Sequence, residues 1–228
     1  MASVRPAAAV LAALTLLATQ PGLVGAQTAA GTARCADVIV VAARGSAQAA
    51  GPGPELEAVA TQLAHRVEGE VQAVGVVYDA SPFGGALLDP VQFRDAVRLG
   101  GARMLKQSVA AARRCPSSAL VWAGFSQGAA VVRAAMRRAD SSRRDPPAVA
   151  AVVLLADPST VLGSAADLPD GWADRTAATC LDGDPVCDLD GGDVVRGLMT
   201  HLRGYRDPEV LAPLTLRVAD LLAVAPTG

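Results

Sequence analysis

The chain is poor in aromatic residues (3 %), has one lysine, Lys106, and has two histidines, His65 and His201. Its 20 basic and 22 acidic residues leave a net charge of −2 at pH 7. No unbroken basic block is present, and nucleic-acid binding needs a broad positive surface, so that class is excluded as an expectation. The arginine-rich run from Arg133 to Arg144 also holds Asp140 and reads as a solvated helix end. Four cysteines, Cys35, Cys115, Cys180 and Cys187, lack the close spacing of a zinc knuckle, and neither histidine sits beside a cysteine pair. No metal and no cofactor are therefore expected. Beyond the N-terminus, no run is long and apolar enough to span a bilayer.

The N-terminus is different. Arg5 precedes the apolar run Ala7 to Ala18, and Val24-Gly25-Ala26 is a small-residue pattern suited to signal peptidase. Residues 1–26 read as a signal peptide, which leaves a mature chain of about 200 residues, 27–228, as a single secreted domain. An even number of cysteines in an exported chain favours disulfides, and four allow three pairings.

Periodicity places strands at Asp37 to Ala43, Val71 to Tyr78, Ala119 to Gly124, Val149 to Ala156 and Thr176 to Leu181. Helical spacing marks Leu56, Val59, Leu63 and Val67, then a long helix through Phe93, Val97, Leu105 and Val109, bent at Gly100-Gly101. Further helices fall at Gly128 to Ala139 and between Pro208 and Leu222, where Pro213 suits a first turn. Strands that alternate with helices and lack polar alternation predict an α/β fold, a parallel sheet covered on both faces.

The segment Gly124-Phe125-Ser126-Gln127-Gly128 fits G-x-S-x-G between a predicted strand and a predicted helix. The pattern resembles the nucleophile elbow of α/β-hydrolases, where a tight turn lifts the serine oxygen out of the sheet; the alternative is a serine capping an ordinary helix. A hydroxyl needs a base to take its proton. His65 lies off the apolar line of its helix and reads as a surface residue. That leaves His201, expected in a loop before the last helix, as the base. The third member must be a carboxylate between Ser126 and His201 in sequence. Asp157, Asp182, Asp184, Asp188, Asp190 and Asp193 all qualify by position, and Asp184 stands out because Cys180 and Cys187 bracket it. The oxyanion donors expected are the Gln127 N–H and, from Arg44-Gly45-Ser46 after the first strand, Ser46 through its N–H and hydroxyl.

Together, Cys115-Pro116 through Gly128, Arg44-Gly45-Ser46, and Cys180-Leu181-Asp182-Gly183-Asp184-Pro185-Val186-Cys187 resemble the cutinase family of secreted serine esterases. The resemblance runs from Cys35 to the C-terminal helix. It implies an α/β-hydrolase three-layer sandwich with about five parallel strands, the pairings Cys35–Cys115 and Cys180–Cys187, and Asp184 as the acid. It also implies a serine reachable without a large lid, and hydrolysis of carboxylic esters of short to medium acyl chains without a cofactor. Gln48 stands where the family often has an acidic residue, Asp79 where it often has proline, and Tyr205 one place later than its usual tyrosine. The expected partner is an ester or lipid substrate, and the expected state a monomer with no membrane span after leader cleavage. Two apolar loops, Pro82 to Leu88 and Val194 to Met199, are expected to receive an acyl chain. A cell-envelope lipase, phospholipase or thioesterase is the alternative, and a binding protein with a decayed site a more distant one.

Overall fold

A computed structural model describes residues 34–81, 89–142, 147–161, 168–190 and 192–224. The expected leader and the loop Pro82 to Leu88 lie outside the described residues. The chain divides into two units, residues 1–34 and 35–228, and every strand and helix described belongs to the second.

Runs of small and β-branched residues, too apolar to alternate, form five strands: β1 (Val38–Ala43), β2 (Val71–Gly75), β3 (Ala119–Phe125), β4 (Val149–Leu155) and β5 (Thr176–Thr179). All pair in parallel in the order β2-β1-β3-β4-β5. Every residue of β1 is buried, as a strand covered on both faces requires. The helices α1 (Pro54–Ala64) and α5 (Pro208–Val224) cover one face, packing Leu56, Leu63, Leu211 and Val218 over Val40, Val121 and Val153. Helices α2 (Pro90–Arg114) and α3 (Gln127–Ser141) cover the other, with Met104, Val131 and Met136 over Val41, Trp122 and Val152. The three-layer α/β-hydrolase arrangement results.

The glycine pair Gly100-Gly101 lies within the single helix α2, at its contact with α3, where added Cβ atoms would meet Val131 and Ala134. Those glycines serve close helix packing. Two elements differ from the periodicity. Pro213 lies inside α5, whose first turn is set by Pro208. Val194 to Met199, expected as a loop, begins the helix α4 (Val194–Arg203), because Asp193 caps it by accepting from the Val195 and Arg196 N–H groups at 3.0 Å each.

Strand order reverses direction between β1 and β3, since β2 lies on one side of β1 and β4 and β5 lie beyond β3. In open parallel sheets such a switch point leaves a crevice at the carboxyl ends of the strands. Ala43 pairs with Gly124, so the segments leaving β1 and β3 emerge side by side, one leading to Ser46 and the other to Ser126.

Candidate active site

Ser126 sits between β3 and α3 with φ 56° and ψ −121°, a conformation that side-chain-bearing residues rarely adopt. It persists because its surroundings fix it: its N–H donates to the Leu155 carbonyl at 2.9 Å, and its own carbonyl accepts from the Ala129 N–H at 2.9 Å. Gly128 is needed here, because a Cβ would overlap the Ala43 carbonyl oxygen. The hydroxyl of Ser126 does not cap α3, so the helix leaves it unspent.

His201 lies in α4 and is buried, not in a loop as its neighbours in sequence suggest. Its ring stacks on Phe125, the residue before Ser126, with centroids 4.9 Å apart. Nδ1 faces Asp184, 2.9 Å from Oδ2 and 3.1 Å from Oδ1. An imidazole anchored through Nδ1 keeps Nε2 as its second proton-exchanging atom.

Asp184 is fully buried. Besides His201, its carboxylate accepts from the Val186 N–H at 2.9 Å and from the Tyr205 hydroxyl at 2.7 Å. Burial pushes this carboxyl upward, but the bonds from His201, the Val186 N–H and Tyr205 outweigh it and hold the pKa below the usual carboxylate value. The disulfide Cys180–Cys187 closes the segment that carries it, and Cys35–Cys115 ties the segment before β1 to the end of α2. Gly197 lets α4 rest against the Asp184 segment, since a Cβ there would overlap the Gly183 carbonyl oxygen.

None of the other aspartates contacts His201 among the described residues. Asp157 forms a buried ion pair with Arg133. Asp188 accepts the Gly183 N–H at 2.7 Å, Asp193 caps α4, and Asp182 and Asp190 are exposed. His65 is exposed at the end of α1.

Ser46 and Gln127 come together across the switch point, with the Ser46 hydroxyl donating to Gln127 Oε1 at 2.8 Å. Arg44 braces the Ser46 loop by donating to the carbonyls of Gln48, Val76 and Tyr78, and the Tyr78 hydroxyl donates back to the Arg44 carbonyl. Gln48 accepts the Gly45 N–H at 2.8 Å and donates to Glu55, so its amide braces the loop at both ends. Tyr205 was legible only as a tyrosine four residues after His201. Its contact with Asp184 depends on the 3₁₀ turn Gly204–Arg206 that follows α4. Among the described residues no cluster of potential ligands forms a metal site, and no helix is long and apolar enough to cross a membrane.

The family model named Cutinase matches residues 34–209. A cutinase of Fusarium solani subsp. cucurbitae is 35 % identical over 159 residues, 68 % of this chain and 66 % of that protein, so the match spans just under two thirds of the relative. A Mycobacterium tuberculosis protein described as "Probable carboxylesterase Culp2" is 30 % identical over 191 residues, 79 % of this chain and 77 % of its own length. Among solved structures, Trichoderma reesei cutinase in complex with a C11Y4 phosphonate inhibitor superposes with a TM-score of 0.58 at 28 % identity, over 82 % of this chain and 77 % of that one. A cutinase-like protein from Cryptococcus sp. shares the fold with a TM-score of 0.66 at 19 % identity, over 83 % and 97 %. The chain belongs to the cutinase family.

Proposed function

We propose that this protein is a cutinase-like serine esterase that hydrolyses carboxylic esters through an acyl-enzyme. Ser126 attacks the ester carbonyl while His201 takes its proton through Nε2. Asp184 fixes the imidazole tautomer and stabilises the positive charge that develops. The N–H of Gln127 and the N–H of Ser46 bind the oxyanion, joined by the Ser46 hydroxyl once it turns from Gln127 Oε1, and water then releases the acid. The observation that carries this reading is the His201–Asp184 contact, with the His201 ring stacked on Phe125, the residue before an elbow serine whose hydroxyl is not used to cap its helix.

Substrate preference follows from α4. Val194, Val195, Leu198 and Met199 are exposed on the helix that carries His201, an apolar surface suited to an acyl chain or a lipid interface. This favours short to medium acyl esters and keeps a lipase, phospholipase or thioesterase acting on envelope lipids as the second reading. Two disulfides suit an oxidising compartment, and with residues 1–26 as leader the enzyme acts outside the cell, as a monomer.

The test is turnover of p-nitrophenyl esters from acetate to palmitate by residues 27–228, beside Ser126→Ala. Hydrolysis lost by about a thousandfold or more in the variant is expected. A folded, oxidised wild type without turnover points instead to a binding protein.

A further inference from the structure

Apart from the candidate site, a hollow of about 660 Å³ lies between α2 and α3. Its floor is apolar, formed by Phe93, Val97, Ala130 and Ala134. Its walls carry four arginines, Arg94 and Arg98 from α2 and Arg137 and Arg138 from α3. In a chain of net charge −2, that is a local excess of positive charge. Asp95 answers only Arg98, across an exposed pair at 3.4 Å. The Arg94 side chain donates to the Pro90 carbonyl and the Arg138 side chain to the Arg98 carbonyl, neither of them a charged group. Arg137 is exposed and forms no hydrogen bond or ion pair among the described residues.

Position adds to composition. Ala130 stands one helical turn beyond Ser126 on α3, and the lining continues along that helix to Ser141. At the α-helical rise, Ala130 and Arg137 are about 10 Å apart along the axis. An apolar strip that starts near the elbow and ends among guanidinium groups matches an amphiphile with an alkyl chain and an anionic head. Guanidinium groups recognise carboxylates in a planar, often bidentate manner, and apolar pockets use a few such groups to fix orientation.

We propose that this groove is a binding site for a medium-chain carboxylate, with the alkyl chain on Phe93, Val97, Ala130 and Ala134 and the carboxylate held by Arg94, Arg137 and Arg138. Such a carboxylate is the acid that ester hydrolysis releases, so the identity of the ligand rests on the esterase reading, whereas the site itself does not. The groove then holds the released acid away from Ser126.

The experiment is calorimetric titration of Ser126→Ala with decanoate and, separately, with neutral decanamide. The same titrations are run on that protein carrying Arg94→Gln, Arg137→Gln and Arg138→Gln. The expected result is saturable decanoate binding that weakens about tenfold or more in the arginine variant and with added salt, while decanamide binds both proteins alike. Equal decanoate affinity in the two proteins, or no binding to either, overturns the proposal. Circular dichroism of the variant checks its fold, and a single Arg137→Gln protein that folds normally but shows no weakening overturns it as well. Because Ser126→Ala removes catalysis, failure here is separate from failure of the esterase assay, which uses the wild type.

Discussion

The Tyr205 hydroxyl donates to Asp184 Oδ2 at 2.7 Å while accepting the Leu181 N–H at 2.9 Å. It thereby joins Asp184, the segment that carries it and the turn after α4. Burial pushes this phenol far above its ordinary range, with the Leu181 N–H opposing and Asp184 adding to the rise, so it stays protonated as a donor. Tyr205→Phe should lower kcat about tenfold and leave KM within about twofold, because only the orientation of Asp184 and His201 changes. Unchanged kcat with a lower Tm would mean that the hydroxyl serves packing alone.

Asp184 also links activity and stability to pH. Its folded-state pKa lies below the ordinary 3.8, so the folded protein prefers the carboxylate. Its stabilisation is complete above that ordinary value and is lost as pH falls through the lowered one. The stability difference between wild type and Asp184→Asn should therefore shrink in that acid window. Urea unfolding at stepped pH measures it, and a constant difference would refute the linkage. At neutral pH the same variant should lose about 10⁴ in kcat, through the wrong imidazole tautomer.

The two disulfides divide their labour. Their half-cystines are 80 and 7 positions apart. In the chain-entropy model, removing Cys35–Cys115 should cost about 4.5 kcal/mol and removing Cys180–Cys187 about 2.5 kcal/mol. Paired Cys→Ser variants should thus show the larger fall in Tm for the long loop. The larger fall in kcat should accompany loss of the short one, which closes the segment around Asp184. The opposite ranking in activity would show that α4 and Tyr205 hold Asp184 unaided.

Acyl length should be read by α4. Leu198 is 48 % and Met199 40 % exposed on the helix that carries His201. Leu198→Ala with Met199→Ala should reduce kcat/KM for decanoate esters about tenfold while changing acetate esters by less than about twofold, as expected for lost apolar contact. Equal losses on both would remove α4 from the acyl site.

Much of the fold and the site was legible locally. A glycine-flanked serine between a Val-rich run and an Ala-rich run specifies an elbow, because the turn depends on residues adjacent in sequence. Strands β1, β3 and β4 were legible for the same reason, as unbroken apolar runs. His201 emerged by elimination, since the chain has only two histidines. Its helical setting was also written locally, in Asp193 as a cap and in Val194, Val195, Leu198, Met199 and Leu202 at helical spacing, but that stripe is exposed and does not pack on the sheet.

The sequence by itself determined the order of the elements, the elbow and a set of candidate carboxylates, since each is written in neighbouring residues. Only the tertiary structure decided which of six aspartates meets His201, that Tyr205 completes that contact, and that four arginines from two helices converge on one groove. Those outcomes rest on distances between segments far apart in the chain, and packing of α4 on the disulfide-closed segment and of α2 on α3 sets them.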